Sequence, residues 1–396
     1  LHFREKQPIL SDVMKKWLHI KTVLLLISVL MATSFSQPPF GGGTPFYHQN
    51  RTVIPFKLEG HKMYIQVYIN NSSRPHWFIL DTGAFTSIGE PLMNRFNFSK
   101  DKPLRASGDI KFAHTIREPV TLQVGQIGVS NFRLVFMDHS FFYQTDPQLQ
   151  GFLGSDFLRF FYVKIDYQSK EVTLSRDPFP VPRISGTSRI RMNTGNPAFL
   201  PEIDCSVDRR WSWSGLIDTG APFAFIFPVS ALSQHKSAGQ PVIESSGIML
   251  SWPTSKIDKN YLSRVNHLKL GELELTDLPV IFANTEDIIL GESFLSQFQI
   301  YLNYPINEIV LVPLGPLNWK SNFFSVGVKL TRTADRQLII DAIWKGSPAD
   351  KAGLTVGMAV LEINGQKTGQ MQDQQWISLL NNDRIHTIEM ILRDGY

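Results

Sequence analysis

Two short segments carry residues whose types and spacing could do chemistry together. Leu80-Asp81-Thr82-Gly83-Ala84 recurs 137 positions later as Ile217-Asp218-Thr219-Gly220-Ala221. Each aspartate ends an apolar run, which fixes where its carboxylate sits. The glycine two residues on lets the chain turn sharply and come close to a facing segment. One such turn offers one carboxylate and little chemical power. Two turns facing each other put carboxyl groups in hydrogen-bond contact, and because both cannot easily ionise there, the pair holds one proton. The ionised member can take a proton from water attacking a peptide carbonyl, while the protonated member donates to the carbonyl oxygen. That scheme needs no metal, no cofactor and no covalent intermediate. The threonine hydroxyls can bond backbone across the interface.

The elements that must position these turns are also repeated. Leu153-Gly154 with Phe157-Leu158 recurs at the same offset as Leu290-Gly291 with Phe294-Leu295, and Asp166-Tyr167 aligns with Asn303-Tyr304. Residues 122–136 match 268–282 at offset 146, so the second copy gains nine residues before this block. The first copy regains them around His139 to Gln150. A repeat of this kind implies two homologous lobes. From about 51 to 175, short apolar runs such as KMYIQVYI, HWFIL and FYVKIDY alternate with Gly, Pro, Asn and Asp, a strand pattern with few helices. The Pro-rich run at 177–182 separates lobe 1 (51–176) from lobe 2 (184–314), and a second break follows at 312–317. The expected fold class is mainly β: two pseudo-symmetric β-barrel-like lobes followed by a small α+β domain.

The paired turns, with Phe152-Leu153-Gly154 and Ile289-Leu290-Gly291, resemble the two halves of an aspartic protease. Ala after Gly, and lobes of about 130 residues, resemble the retropepsin-like (retroviral-type) proteases more than pepsin, although both halves lie in one chain as in pepsin. The resemblance covers 51–314. It implies an endopeptidase in which Asp81 and Asp218 share the acid and base roles. Thr82, Gly83, Ala84, Thr219, Gly220 and Ala221 would shape the turns, and Leu153, Gly154, Leu290 and Gly291 would cross beneath and support them. The family closes its cleft with a β-hairpin flap. The candidates are Ser107–Ile116, with Phe112 near the tip, and a second around Ser245–Trp252; no flap tyrosine of the pepsin kind is recognisable. Phe85, Phe223 and Phe225 suggest an apolar substrate preference or else are core residues. Two other readings stay open: a catalytically silent peptide-binding scaffold, and sites formed between two chains.

The C-terminal text differs. Ser347 to Leu354 reads as a capped helix with Ser at the N-cap, Pro at the first helical position and Gly353 at the stop. Gly357–Gly365 reads as a strand ending in an Asn-Gly turn, and Gln370–Leu380 as an amphipathic helix with Trp376, Ile377 and Leu380 inward. Residues 322–396 resemble the PDZ domains of bacterial exported proteases. The resemblance implies a peptide C-terminus added to a sheet edge, its carboxylate held by backbone N–H groups. Ser325-Val326-Gly327-Val328 aligns with the carboxylate-binding loop, with Ser in place of the first Gly. The alternative is a packing domain that orients the lobes.

Composition bounds the rest. The 396 residues are 43% hydrophobic and 19% charged, enough for two or three cores. Of the formal charge of +4, residues 1–36 contribute five basic against two acidic side chains, so the remainder is nearly balanced and no nucleic-acid partner is implied. The first Met is Met14. Lys15, Lys16 and Lys21 precede the apolar run Val23–Met31, and Ser34 and Ser36 stand before Gln37, which reads as a cleaved secretory signal over 14–36. A membrane anchor is the other reading, but the run is about half the roughly 20 residues a span needs. Residues 1–13 precede any Met and read as an over-extended frame; 37–50 read as a linker. The expectation is an exported protein, periplasmic or extracellular, with no stable membrane anchor after cleavage. A single cysteine, Cys205, excludes an intrachain disulfide and reads as a buried thiol rather than a nucleophile. Ten histidines show no metal-binding spacing, and no GxSxG, Walker or dinucleotide motif occurs. Trp211 and Trp213 are expected to pack.

Overall fold

A computed structural model describes residues 40–59, 61–104, 113–138, 148–237, 239–247, 249–250, 259–317, 326–333, 335–380, 385 and 387–393. The leader expected over 14–36, Phe112 and Ser325 lie outside the described residues. Alternating side chains are buried along Arg51–Pro55, Tyr162–Asp166 and Glu202–Val207, the mark of strands with one face on a core. Gly151–Leu153 and Ile288–Leu290 are buried at every residue because they run through the middle of their sheets.

The protein is mainly β. The first half forms an eleven-stranded sheet in the order Thr44–Tyr47, Ile127–Phe132, Val120–Val124, Lys62–Ile69, His76–Leu80, Gly151–Leu153, Ser87–Ile88, Val135–Met137, Ala113–Ile116 and Lys100–Pro103, with Lys57–Glu59 beside Lys62–Ile69. The second half forms the corresponding sheet from Glu202–Val207, Trp211–Ile217, Ile288–Leu290, Phe225–Pro228, Leu273–Ala283, Tyr261–Leu270 and Ile243–Gly247. In each half the strand before the Asp turn pairs in parallel with the strand that precedes the supporting glycine: Phe78–Leu80 with Gly151–Leu153, and Gly215–Ile217 with Ile288–Leu290.

A third sheet joins the halves. Its six strands are Ser188–Arg191, Glu308–Pro313, Phe298–Asn303, Tyr162–Asp166, Glu171–Ser175 and Arg51–Pro55, and the seam pairs Tyr162 with Asn303 and Asp166 with Gln299. Residues 51–176 and 184–314 thus each contribute three whole strands to one shared sheet. One apolar core runs under both halves, and it repeats its aromatic contacts: Phe157 and Phe161 centroids lie 5.4 Å apart, Phe294 and Phe298 5.1 Å apart. Trp211 and Trp213 pack against this core.

The linker expected over 37–50 is corrected from Phe40 onward. Thr44–Tyr47 is an edge strand paired with Ile127–Ser130, and Gly41 N–H donates to Arg133 O at 3.0 Å. The Pro and Gly content hid it. Pro45 is tolerated because it sits on a sheet edge.

The C-terminal domain has its own core of Leu330, Ile340, Val360, Ile363, Trp376 and Leu380. Its strands are Val328–Arg332, Leu338–Trp344, Ala359–Ile363, Gln366–Lys367 and Met390–Arg393, with helices Pro348–Lys351 and Asp373–Leu380. Ser347 Oγ caps the first helix by accepting from Asp350 N–H at 3.2 Å. Asn364 and Gly365, at φ 48° and 77°, make the hairpin turn that both positive angles require. No helix among the described residues is long and apolar enough to cross a membrane.

Candidate active site

The two Asp turns meet at the junction of the halves, and the threonines between Asp and Gly lock them reciprocally. Thr82 Oγ donates to Ile217 O at 2.6 Å and accepts from Thr219 N–H at 3.0 Å. Thr219 Oγ donates to Leu80 O at 2.9 Å and accepts from Thr82 N–H at 3.0 Å. Both threonines are fully buried, so four polar groups are satisfied by the facing half alone.

This grip brings the carboxylates together. A Cβ on Gly83 would lie 2.5 Å from Asp218 Oδ2, and a Cβ on Gly220 would lie 2.7 Å from Asp81 Oδ1. Each glycine is thus the space into which the opposite carboxyl group fits, and no other residue leaves it. Gly83 N–H donates to Asp81 Oδ1 at 3.0 Å; Gly220 and Ala221 N–H donate to Asp218 Oδ1 at 2.8 and 3.1 Å. Removal from water and then the neighbouring Asp218 charge push the Asp81 carboxyl well above the usual carboxylate range. Asp218 is also raised by burial, but the Gly220 N–H, the hydrogen bond from Asp81 and the Ala221 N–H draw it back. The pair can share one proton, and the second N–H on Asp218 favours Asp218 as its ionised member.

The Leu-Gly segments lie behind the turns. Leu153 O accepts from Asp81 N–H and Leu290 O from Asp218 N–H, both at 3.0 Å. A Cβ on Gly154 would strike the Ala84 carbonyl and reach within 2.7 Å of Phe85 Cα; one on Gly291 would lie 2.6 Å from Ala221 O. The following residues close the loop, as Ser155 N–H donates to Ala84 O at 2.9 Å and Glu292 N–H to Ala221 O at 2.7 Å. All twelve turn and support residues singled out in the sequence are therefore in one place. Phe225 is a core residue, whereas Phe85 and Phe223 are part-exposed beside the turns.

Of the first flap candidate, Ala113–Ile116 is a strand paired with Val135–Met137 and Lys100–Pro103; the remainder lies outside the described residues. In the second, Ile243–Gly247 is a strand, and Asn260 ties it to its return: Asn260 O accepts from Ser245 N–H, Ser245 Oγ accepts from Asn260 N–H, and Asn260 Oδ1 accepts from Leu250 N–H.

The pseudo-symmetry breaks in residues that the motif reading passed over. Ser155 Oγ donates to Thr82 O at 2.7 Å and lies 2.8 Å from Tyr304 Oη. At the equivalent place in the second half, Glu292 is buried and pairs with His61 of the first half at 2.8 Å, which raises the His61 pKa. Asp156 is buried behind the first turn, accepting from Thr86 N–H at 2.7 Å and Thr86 Oγ at 2.6 Å; Thr86 Oγ in turn accepts from Gly154 N–H. The one available sequence signal was the exchange of Gly-Ser-Asp for Gly-Glu-Ser after the two leucines. Cys205 is buried with its thiol pushed up to about 12, chiefly by burial. Among the described residues no group of His, Cys, Asp and Glu could hold a metal ion.

In the C-terminal domain, Val326 and Val328 pack against the core that holds Trp376 and Leu380, and Gly327 is at φ 88° with Ser347 where a Cβ would go. Arg332 ties the strand Val328–Arg332 to the helix Asp373–Leu380 through Asp373, Nε to Oδ1 at 2.6 Å. Residues 339–392 match the PDZ domain family, so the chain carries a C-terminal PDZ domain, a fold that binds peptides or proteins. The loop residues Val326, Gly327 and Val328 precede the matched stretch. No curated protein matches the chain.

Proposed function

We propose that the protein is an aspartic endopeptidase of the retropepsin-like kind that works outside the cytoplasm, with the PDZ domain serving peptide recognition or regulation. The observation that carries the reading is the reciprocal threonine grip, which sets two buried carboxyl groups against each other's glycines. In the proposed reaction Asp218 takes a proton from a water molecule whose oxygen bonds to the scissile carbonyl carbon. Asp81 gives its proton to the carbonyl oxygen, producing a tetrahedral diol. The proton held by Asp218 then goes to the amide nitrogen as the C–N bond breaks, and a diol hydroxyl returns one to Asp81 as the new carboxyl group forms. The part-exposed Phe85 and Phe223 beside the turns favour apolar side chains next to the cleaved bond. Export rests on the leader-like residues 14–36.

The test is cleavage of a mixed peptide library by residues 37–396 from pH 4 to 8, beside Asp81→Asn and Asp218→Asn. Cleavage by the parent and loss in both folded variants, by at least a thousandfold, is expected. Substantial cleavage by either variant would sink the paired mechanism, and a folded but silent parent would turn the reading toward a peptide-binding scaffold.

A further inference from the structure

The sheet of the second half does not end at its own edge. Ile243–Gly247 pairs on one side with Tyr261–Leu270 and on the other, antiparallel, with PDZ strand Leu338–Trp344: Ser245 opposite Trp344, Ser246 opposite Ile343, Gly247 opposite Ala342. Lys345 N–H donates to Glu244 O at 3.0 Å, and the Glu244 carboxylate takes Lys345 at 3.2 Å and Lys259 at 2.6 Å. The junction is shaped for close approach. Gly247 has φ 80°, and a Cβ there would strike the Asp341 carbonyl and come within 3.0 Å of Ala342 Cα. Trp344, at the end of this PDZ strand, packs against a cluster of Ala221, Ile226, Leu250, Ile281, Ala283 and Ile289. Ala221 closes the Asp218 turn, its N–H on the Asp218 carboxylate and its carbonyl on Glu292 N–H. The first half has its own external aromatic: Phe40, from the N-terminal segment, lies 5.2 Å from Phe85 in a cluster with Ala113 and Val135.

We propose that the PDZ domain is a working part of the second half of the cleft: strand Leu338–Trp344 clamps the strand Ile243–Gly247, and Trp344 is the positioning residue that holds the Asp218 turn in register with Asp81. The inference rests on the reading of Asp218 as a catalytic group. Strand addition fixes this strand by backbone hydrogen bonds, and a large aromatic packed on the cluster that includes Ala221 limits the excursions of the turn. A PDZ domain attached by a tether for recruitment would leave this turn unaffected.

The test uses the full chain with Gly247→Val, which breaks the junction from the protease side, and Trp344→Ala, which empties it from the PDZ side. Hydrogen exchange is followed over 217–224 and 80–86, with the PDZ core amides of Ile340 and Val360 reporting that the domain is folded. Exchange over 217–224 is expected to rise at least tenfold in both variants with 80–86 unchanged apart from Thr82, whose N–H bonds to Thr219, and Trp344→Phe should restore most of the protection. On peptide substrate, kcat should fall at least tenfold with KM within about threefold. Parental exchange over 217–224 in both variants, or equal loosening of the two turns, would overturn the proposal. The exchange arm is repeated in the Asp81→Asn background, where it decides the positioning role even if the parent cleaves nothing.

Discussion

Asp156 is a buried acid that the fold must accommodate, and replacing it by asparagine isolates that cost. Its Oδ1 accepts from Thr86 N–H, the Thr86 hydroxyl and Phe157 N–H, while its Oδ2 is buried without a partner. Burial pushes its pKa from 3.8 up to about 6, against the pull of the three hydrogen bonds and Arg159. Below about pH 3 the group is largely protonated in the folded and the unfolded chain alike. Between pH 4 and 6 the unfolded chain ionises and the folded one resists, so stability falls; above pH 6 both are ionised and the loss is complete. A gap of about two pKa units corresponds to roughly 3 kcal/mol. Asparagine reproduces the protonated acid: its carbonyl keeps the three donors, and its Nδ2 stands where the unpartnered oxygen stood. Urea unfolding of parent and Asp156→Asn at pH 3.5, 5, 6 and 7.5 should therefore give curves that diverge with pH. The variant should gain roughly 3 kcal/mol relative to the parent by pH 7.5, most of it between pH 4 and 6. Parallel curves across that window would refute the reasoning.

Thr82→Ala and Thr219→Ala each leave a carbonyl and an N–H of the facing half unpaired in the interior, at about 1–3 kcal/mol apiece, so urea unfolding should show losses of roughly 2–6 kcal/mol with much smaller ones for Thr→Ser. In the proposed reaction the cleavage rate should follow a bell in pH. Acid puts a second proton on the pair and removes the base; rising pH takes the shared proton, and burial beside a second carboxylate places that limb well above the ordinary carboxylate range. A rate still climbing at pH 9 would contradict the assignment. The Cys205 thiol, buried and raised to about 12, should stay unlabelled by a disulfide reagent at pH 8 and react at once in urea; rapid labelling of the folded chain would show that the strand Glu202–Val207 opens.

The turns were legible because their demands are local. An apolar strand, an acid, a hydroxyl and a glycine must follow one another in the chain wherever such a turn is built, and the repeat at one fixed offset tied Leu153-Gly154 and Leu290-Gly291 to them. The Asn364-Gly365 hairpin and the Ser347 cap are written in the same short-range way. What was misread is equally physical. Thr44–Tyr47 becomes a strand because Ile127–Ser130 offers it an edge, and nothing within the Pro/Gly-rich stretch announces that partner.

The sequence by itself determined two β halves built on one plan, an acid at the same place in each, and a C-terminal domain with its own helix caps and turns. Only the tertiary structure decided that the acids meet, that Asp218 has one more N–H donor than Asp81, and that the PDZ strand adds to the second half at Gly247. Proton placement depends on which groups exclude water and which N–H groups converge on each carboxylate. Those N–H groups follow each aspartate by two or three residues, but the bonds that bring the two turns face to face join segments about 70 to 137 residues apart. Periodicity and spacing record what a residue needs from its neighbours in the chain, whereas strand addition and shared burial depend on partners that only folding supplies.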